Sequence, residues 1–95
     1  MTNSPNGLEA MRKLSGYNEK EVAEYLGIKH PDVITRWERG YSKPGTVKLL
    51  KLCILYGVMV SDLYPHLYKK IAEEMNGKIK NRTARLAKHK NKAKK

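Results

Sequence analysis

Phenylalanine is absent from this 95-residue sequence, and tryptophan and cysteine occur once each. With no Phe and 40% hydrophobic residues, only a modest core can form, more easily from packed helices than from a wide sheet, and a large catalytic cleft is not expected. The lone Cys53 cannot close an intramolecular disulfide. No run reaches 18 consecutive apolar residues, so no membrane-spanning helix is expected. No N-terminal signal pattern is present, which places the expected location in the cytoplasm. Acidic residues are missing from residues 76–95, which carry nine of the 20 Lys and Arg, whereas residues 1–75 carry the other eleven against all nine acids, a net of +2. The formal charge of +11 is therefore largely that of a tail.

A tail of that sign points to a polyanionic partner, nucleic acid before an anionic membrane surface. It has no aromatic and few large apolar residues, so membrane anchoring is not expected. A solvated, disordered tail and a tail that adds DNA contacts remain two open readings. Asn81-Arg82-Thr83 matches a glycosylation acceptor, but without an export signal the match is read as chance.

The sequence is organised around residues 30–40, HPDVITRWERG. As a helix, this stretch puts Ile34 and Trp37 on one face at i,i+3 spacing, with Asp32, Thr35, Arg36 and Arg39 outside that stripe and Gly40 as a stop. Trp37 is read as a core residue and not as a base-stacking ring, because it shares the Ile34 face. Before it lies an amphipathic segment, Asn18 to Leu26, joined through Gly27-Ile28-Lys29, which makes a helix, a short Gly-containing turn and a second helix. Asp32 to Arg39 is taken as a recognition helix.

The flanking elements follow in order. Met1 to Gly7 reads as a loose start, with Ser4-Pro5 able to open a helix that runs to about Leu14 and buries Leu8, Met11 and Leu14; Ser15-Gly16 end it. Asn18 and Glu21 have capping-box spacing, Val22, Ala23 and Leu26 face inward, Gly27 is a positive-φ C-cap, and Pro31 suits the first helical position. The breaker-rich loop 41–45 precedes a helix capped by Thr46 whose polar positions are only Lys48 and Lys51, so it is central in the core or partly covered by another subunit. Gly57 ends it, Ser61-Asp62-Leu63 opens a short fifth helix, and Pro65 breaks or restarts it. Leu67, Ile71, Met75 and Ile79 then recur every four residues, an amphipathic helix interrupted at Asn76-Gly77. Tyr64 and Tyr68 are open between core and dimer interface.

No catalytic constellation is visible, and no enzyme is expected. His30, His66 and His89 lie far apart with no Cys or acid at metal-ligand spacing, so no metal and no cofactor is expected. Cys53, without a basic neighbour at helical spacing, is read as a small core residue.

The residues Arg12, Val22-Ala23, Leu26-Gly27, Ile34 to Gly40, Pro44, Leu49-Leu50, Gly57-Val58 and Leu63 together resemble the lambda-repressor-like helix-turn-helix family, also called the Cro/repressor or XRE family. The resemblance implies an all-α, compact five-helix domain over residues 8–64, here preceded by residues 1–7 and followed by an amphipathic helix at 65–77 and a basic tail at 78–95. It implies a homodimer on a partly palindromic double-stranded DNA operator, with the recognition helix, about 31–39, in the major groove. Carried over residue by residue, Pro31, Asp32, Thr35 and Arg36 fall at or beside base-contacting positions, chemistry that Arg on guanine and Asp on a cytosine amino group can supply. Arg39, Tyr41, Ser42 and Lys43 correspond to phosphate contacts. Arg12 and Glu38 correspond to a structural pair that ties the first helix to the third, so Glu38 is not read as a catalytic acid. Two positions depart from the pattern. The family's Gln at the start of the second helix is Glu19 here, whose charge repels a phosphate, so that contact is either missing or supplied by Asn18 or Lys20. The interval from Gly27 to Glu38 is also one residue longer than the commonest spacing.

The expected function is a sequence-specific, double-stranded DNA-binding transcriptional regulator, a repressor acting by occupancy. Two alternatives stand beside it: an antitoxin that binds a toxin partner and represses its own operon through the same motif, and a non-specific nucleic-acid-binding protein dominated by the basic tail.

Overall fold

Caps and tight turns set the element boundaries. The computed structural model describes the backbone of residues 4–89 and the side chains of residues 4–82, and among the described residues it holds six helices and no strand. These are α1 (Leu8–Ser15), α2 (Glu19–Leu26), α3 (Asp32–Glu38), α4 (Thr46–Tyr56), α5 (Val60–Leu63) and α6 (Pro65–His89). Met1–Asn3 of the expected loose start and residues 90–95 of the basic tail lie outside the described residues.

α2 starts on a complete capping box: Asn18 Oδ1 accepts from the Glu21 N–H at 2.8 Å, and Glu21 Oε1 accepts from the Asn18 N–H at 2.9 Å. That reciprocal pair satisfies two backbone donors that would otherwise face only water. α2 ends at Gly27, which takes φ 74° while its N–H turns back to the last carbonyls of the helix. A side chain there would be strained in the left-handed region. Ile28 N–H closes on the Ala23 carbonyl at 2.8 Å, and the chain enters α3 within four residues.

The core comprises Leu8 from α1, Val22, Ala23 and Leu26 from α2, Ile34 and Trp37 from α3, Leu52 and Tyr56 from α4, and Leu63 from α5. Each fully buried Leu or Ile contributes roughly 1.5–3 kcal/mol. Ala23 is almost wholly buried, and its single methyl lets the α2 and α3 backbones approach closely.

Several sequence expectations are corrected. Leu14 is 80% exposed and does not belong to the α1 stripe. A repeat of three lags the helical period by about 60° per step, so Leu14 has left the face that Leu8, Met11 and Arg12 share. Pro31 is the N-cap of α3 and not its first helical residue, and Thr46 is the first helical residue of α4, whose N-cap is Gly45 with no side-chain bond. The N-terminal segment is anchored: Asn6 is buried, its Nδ2 donates to the Trp37 carbonyl at 2.9 Å, and its Oδ1 accepts from the Leu8 N–H at 3.0 Å. Next to it, Gly7 N–H donates to the Leu63 carbonyl at 2.7 Å, which joins the start of α1 to α5. α6 runs unbroken through Asn76 and Gly77. A helical Gly costs about 1 kcal/mol relative to Ala, which neighbouring turns absorb when nothing else forces a break.

α4 is only partly covered. Leu52 and Tyr56 are buried, but Val47, Leu50 and Ile54 face solvent, Ile54 by 81%. Leu67, Tyr68, Ile71, Met75 and Ile79 of α6 are exposed as well.

Candidate nucleic-acid interface

α3 is seven residues long and divides into two sides. Ile34, Trp37 and Glu38 are buried, while Asp32, Arg36 and Arg39, which follows its last turn, project into solvent. At 100° per residue those three exposed positions fall within an arc of about 60° opposite the core. Thr35 and Pro31 are half-buried at its margins. A helix anchored by an indole and an isoleucine on one side, with a carboxylate and two guanidiniums on the other, can enter a B-form major groove without disturbing its own core.

The turn after α3 closes tightly. Gly40 takes φ 81°, its N–H donates to the Trp37 carbonyl at 3.1 Å, and Tyr41 N–H donates to the Arg36 carbonyl at 2.9 Å. This places Tyr41 and Lys43 in the open and leaves Ser42 half-buried. Asn18 and Lys20 are exposed at the start of α2. The Asn18 side-chain oxygen is committed to the cap, so only its amide N–H groups are free for an anion.

Behind α3 lies an ionic cluster. Arg12 Nε donates to Glu38 Oε2 at 2.7 Å and Nη2 to Oε1 at 3.2 Å, a two-pronged contact, while Nη1 donates to the Tyr17 carbonyl at 3.1 Å. The Arg12 and Glu38 side chains are 10% and 4% exposed. Arg12 thus links α1, the α1–α2 turn and α3 in one group. Hydrogen bonding to Glu38 raises the Arg12 pKa further above an already high value. Burial pushes the Glu38 carboxyl up, the Arg12 hydrogen bonds pull it back, and nearby Glu19 adds to the rise. Tyr56, packed beside the cluster, is also pushed up by burial.

Glu19, expected from the sequence only to repel a phosphate, is engaged inside the protein. Its Oε1 accepts from the Thr35 hydroxyl at 2.8 Å, and its Oε2 lies 3.8 Å from Arg12 Nη2. No sequence signal pairs positions 19 and 35, because their meeting depends on how α2 crosses α3. Asn6 is a second residue that the sequence analysis does not single out, although its bond to the backbone N–H two places on is an Asx turn, a local habit of Asn.

Among the described residues, the His, Cys and acidic side chains outside this cluster stay apart, and no three His, Cys, Asp or Glu side chains gather where a metal ion would fit. Cys53 is half-buried, and burial pushes its thiol up, away from the thiolate that a nucleophile needs. No described helix is long and apolar enough to cross a membrane.

A sequence-family profile described as helix-turn-helix matches residues 8–63, from the start of α1 to the end of α5. The chain is also similar to the HTH-type transcriptional regulator ImmR of Bacillus subtilis (strain 168), with 41% identity over 56 residues that make up 59% of this chain and 43% of that protein. It therefore spans less than half the length of that relative. No solved structure matches.

Proposed function

The chain belongs to the helix-turn-helix family, and from that premise we propose that it is a sequence-specific, double-stranded DNA-binding transcription regulator that represses by occupying its operator. The observation that carries the proposal is the two-sided α3, with Asp32, Arg36 and Arg39 exposed opposite buried Ile34, Trp37 and Glu38. Asp32 and Arg36 read base edges: the Arg36 guanidinium matches the O6 and N7 acceptors of guanine, and Asp32 accepts from a cytosine amino group. Arg39, Tyr41, Ser42, Lys43, Asn18 and Lys20 hold the phosphates on either side and fix the register. The similarity to a transcriptional regulator supports the same reading for the matched domain.

The regulator works as a homodimer. Exposed Leu67, Ile71, Met75 and Ile79 recur along α6, a helix of 25 residues and so about 37 Å, and the apolar faces of two copies would cover one another. A two-fold dimer reads a partly palindromic operator.

Selection of bound sequences from a random duplex library at about 0.15 M salt tests the proposal. Enrichment of an inverted repeat supports both specificity and dimerisation; recovery of unenriched sequence overturns the specific reading. The concentration of basic residues in 76–95 favours one second reading, a non-specific nucleic-acid binder. In that case unrelated duplex competes as strongly as any selected site.

A further inference from the structure

Thr35 sits where the exposed arc of α3 meets the buried one, on the Glu38 side of the helix, and is half-buried against the first residue of α2. Its hydroxyl lies 2.8 Å from Glu19 Oε1. An ionised carboxylate can only accept, so Thr35 is the donor and its single hydroxyl hydrogen is used inside the protein. The other Glu19 oxygen lies 3.8 Å from Arg12 Nη2, and Arg12 is itself held by Glu38 and by the Tyr17 carbonyl. Glu19 is therefore steadied from behind by a cation that the fold has already fixed in place.

We infer that Glu19 is a positioning residue that decides what Thr35 can read: by taking the hydroxyl hydrogen, it leaves Thr35 only lone pairs and a methyl group to present to a duplex. This role presupposes the DNA-binding reading proposed above. In the major groove, guanine offers acceptors at N7 and O6, whereas adenine N6 and cytosine N4 carry hydrogens and thymine carries a methyl. An acceptor with a methyl beside it suits adenine, cytosine or thymine, and two acceptors repel one another at guanine. Thr35 held by Glu19 thus excludes guanine at the base it faces. Glu19 also brings a negative charge to the start of α2, beside exposed Asn18 and Lys20, where it weakens phosphate contact on every sequence alike.

The test compares the full-length wild type with Glu19→Ala, Thr35→Ser and Thr35→Ala, by library selection and then by affinities on selected sites carrying each base in turn, all at one salt concentration. Wild type and Thr35→Ser, which keeps the hydroxyl, reject guanine at one shared position. Glu19→Ala frees the hydroxyl to donate, so its rejection of guanine falls roughly fivefold or more at that position, while its affinity for all sequences rises. Unchanged rejection of guanine in Glu19→Ala overturns the inference. A thermal-unfolding cycle over Glu19→Ala, Thr35→Ala and the double variant reads the contact without DNA. Midpoint losses that simply add remove the contact, and non-additive losses with unchanged base preference leave a structural contact and overturn the role in reading. A wild type that enriches no sequence overturns the DNA-binding reading, and the role in reading with it, while the unfolding cycle still decides whether the contact exists.

Discussion

At the scale of single residues, the Arg12–Glu38 pair and Arg36 show two uses of the same guanidinium chemistry. Arg12 is buried with its hydrogen bonds satisfied by Glu38 and the Tyr17 carbonyl, so removing either partner strands a charge in the core. Glu38→Ala or Arg12→Ala should each cost about 3–5 kcal/mol in urea unfolding, while Arg12→Met with Glu38→Leu together should cost clearly less than either, because paired apolar replacements leave no orphaned charge. Losses that add in the double variant would contradict a coupled pair. Arg36 is exposed with no protein partner drawn to it among the hydrogen bonds and ion pairs of the described residues, so Arg36→Ala should leave unfolding unchanged. On the selected operator it should lose roughly 1–3 kcal/mol and relax preference at one base position. Equal loss on random duplex would remove it from direct readout. Tyr56 gives the protein an alkaline limit. Its folded pKa is raised by burial above the ordinary value of about 10, so the stability it contributes is intact below that pH and is lost progressively as pH climbs from there through the raised folded value. Between pH 10 and 11, wild type should lose up to about 1.4 kcal/mol more per pH unit than Tyr56→Phe; parallel pH profiles of urea unfolding would show that Tyr56 ionises freely in the folded state.

At the scale of elements, the same substitution should have opposite signs at two glycines. A Cβ on Gly7 would collide with the Asp62 carbonyl oxygen, where the start of α1 meets α5, whereas a Cβ on Gly77 meets nothing within 4 Å on α6. Gly7→Ala should therefore destabilise by about 1–3 kcal/mol, and Gly77→Ala should raise helix stability by up to about 1 kcal/mol. Thermal unfolding of both variants checks the pair, and a neutral Gly7→Ala would mean that α1 and α5 part easily. The contrast marks what could be read from sequence. Asn18 with Glu21, and Gly27 with its left-handed turn, declare themselves because cap and partner lie within four residues of each other. The burial of Ile34 and Trp37, and with it the outward face of α3, is likewise carried by local periodicity. Asn6 bonds a carbonyl 31 positions away, and Glu19 meets a hydroxyl 16 positions away, so neither contact exists until the helices have crossed. The exposure of Leu14 follows from the helical period alone, whereas the continuity of α6 through Asn76-Gly77 does not, since no local feature there decides between a break and a continuous helix. Within the candidate site, therefore, the exposed positions were legible and the hydroxyl already committed to Glu19 was not.

At the scale of the whole molecule, charge and shape are divided between two parts. Residues 1–75 hold α3 with a net charge of only +2, and residues 76–95 hold +9 beginning in the second half of α6. A nearly neutral domain gains little from long-range attraction to DNA, so on the proposed reading discrimination would rest on close contacts of α3, and the tail would supply an attraction that does not depend on sequence. Deleting residues 83–95 tests this division. The cut removes six Lys and Arg and leaves Leu67, Ile71, Met75 and Ile79 in place. Affinity for every duplex should fall at low salt, and the slope of log affinity against log salt should flatten by about 0.9 for each phosphate that the tail had neutralised, so by at most about 5. The ratio of operator to random-duplex affinity should stay within about threefold of the full chain, because counterion release is blind to base identity. An unchanged slope would place the tail off the DNA, and a collapse of the ratio would mean that the tail, and not α3 alone, distinguishes one sequence from another.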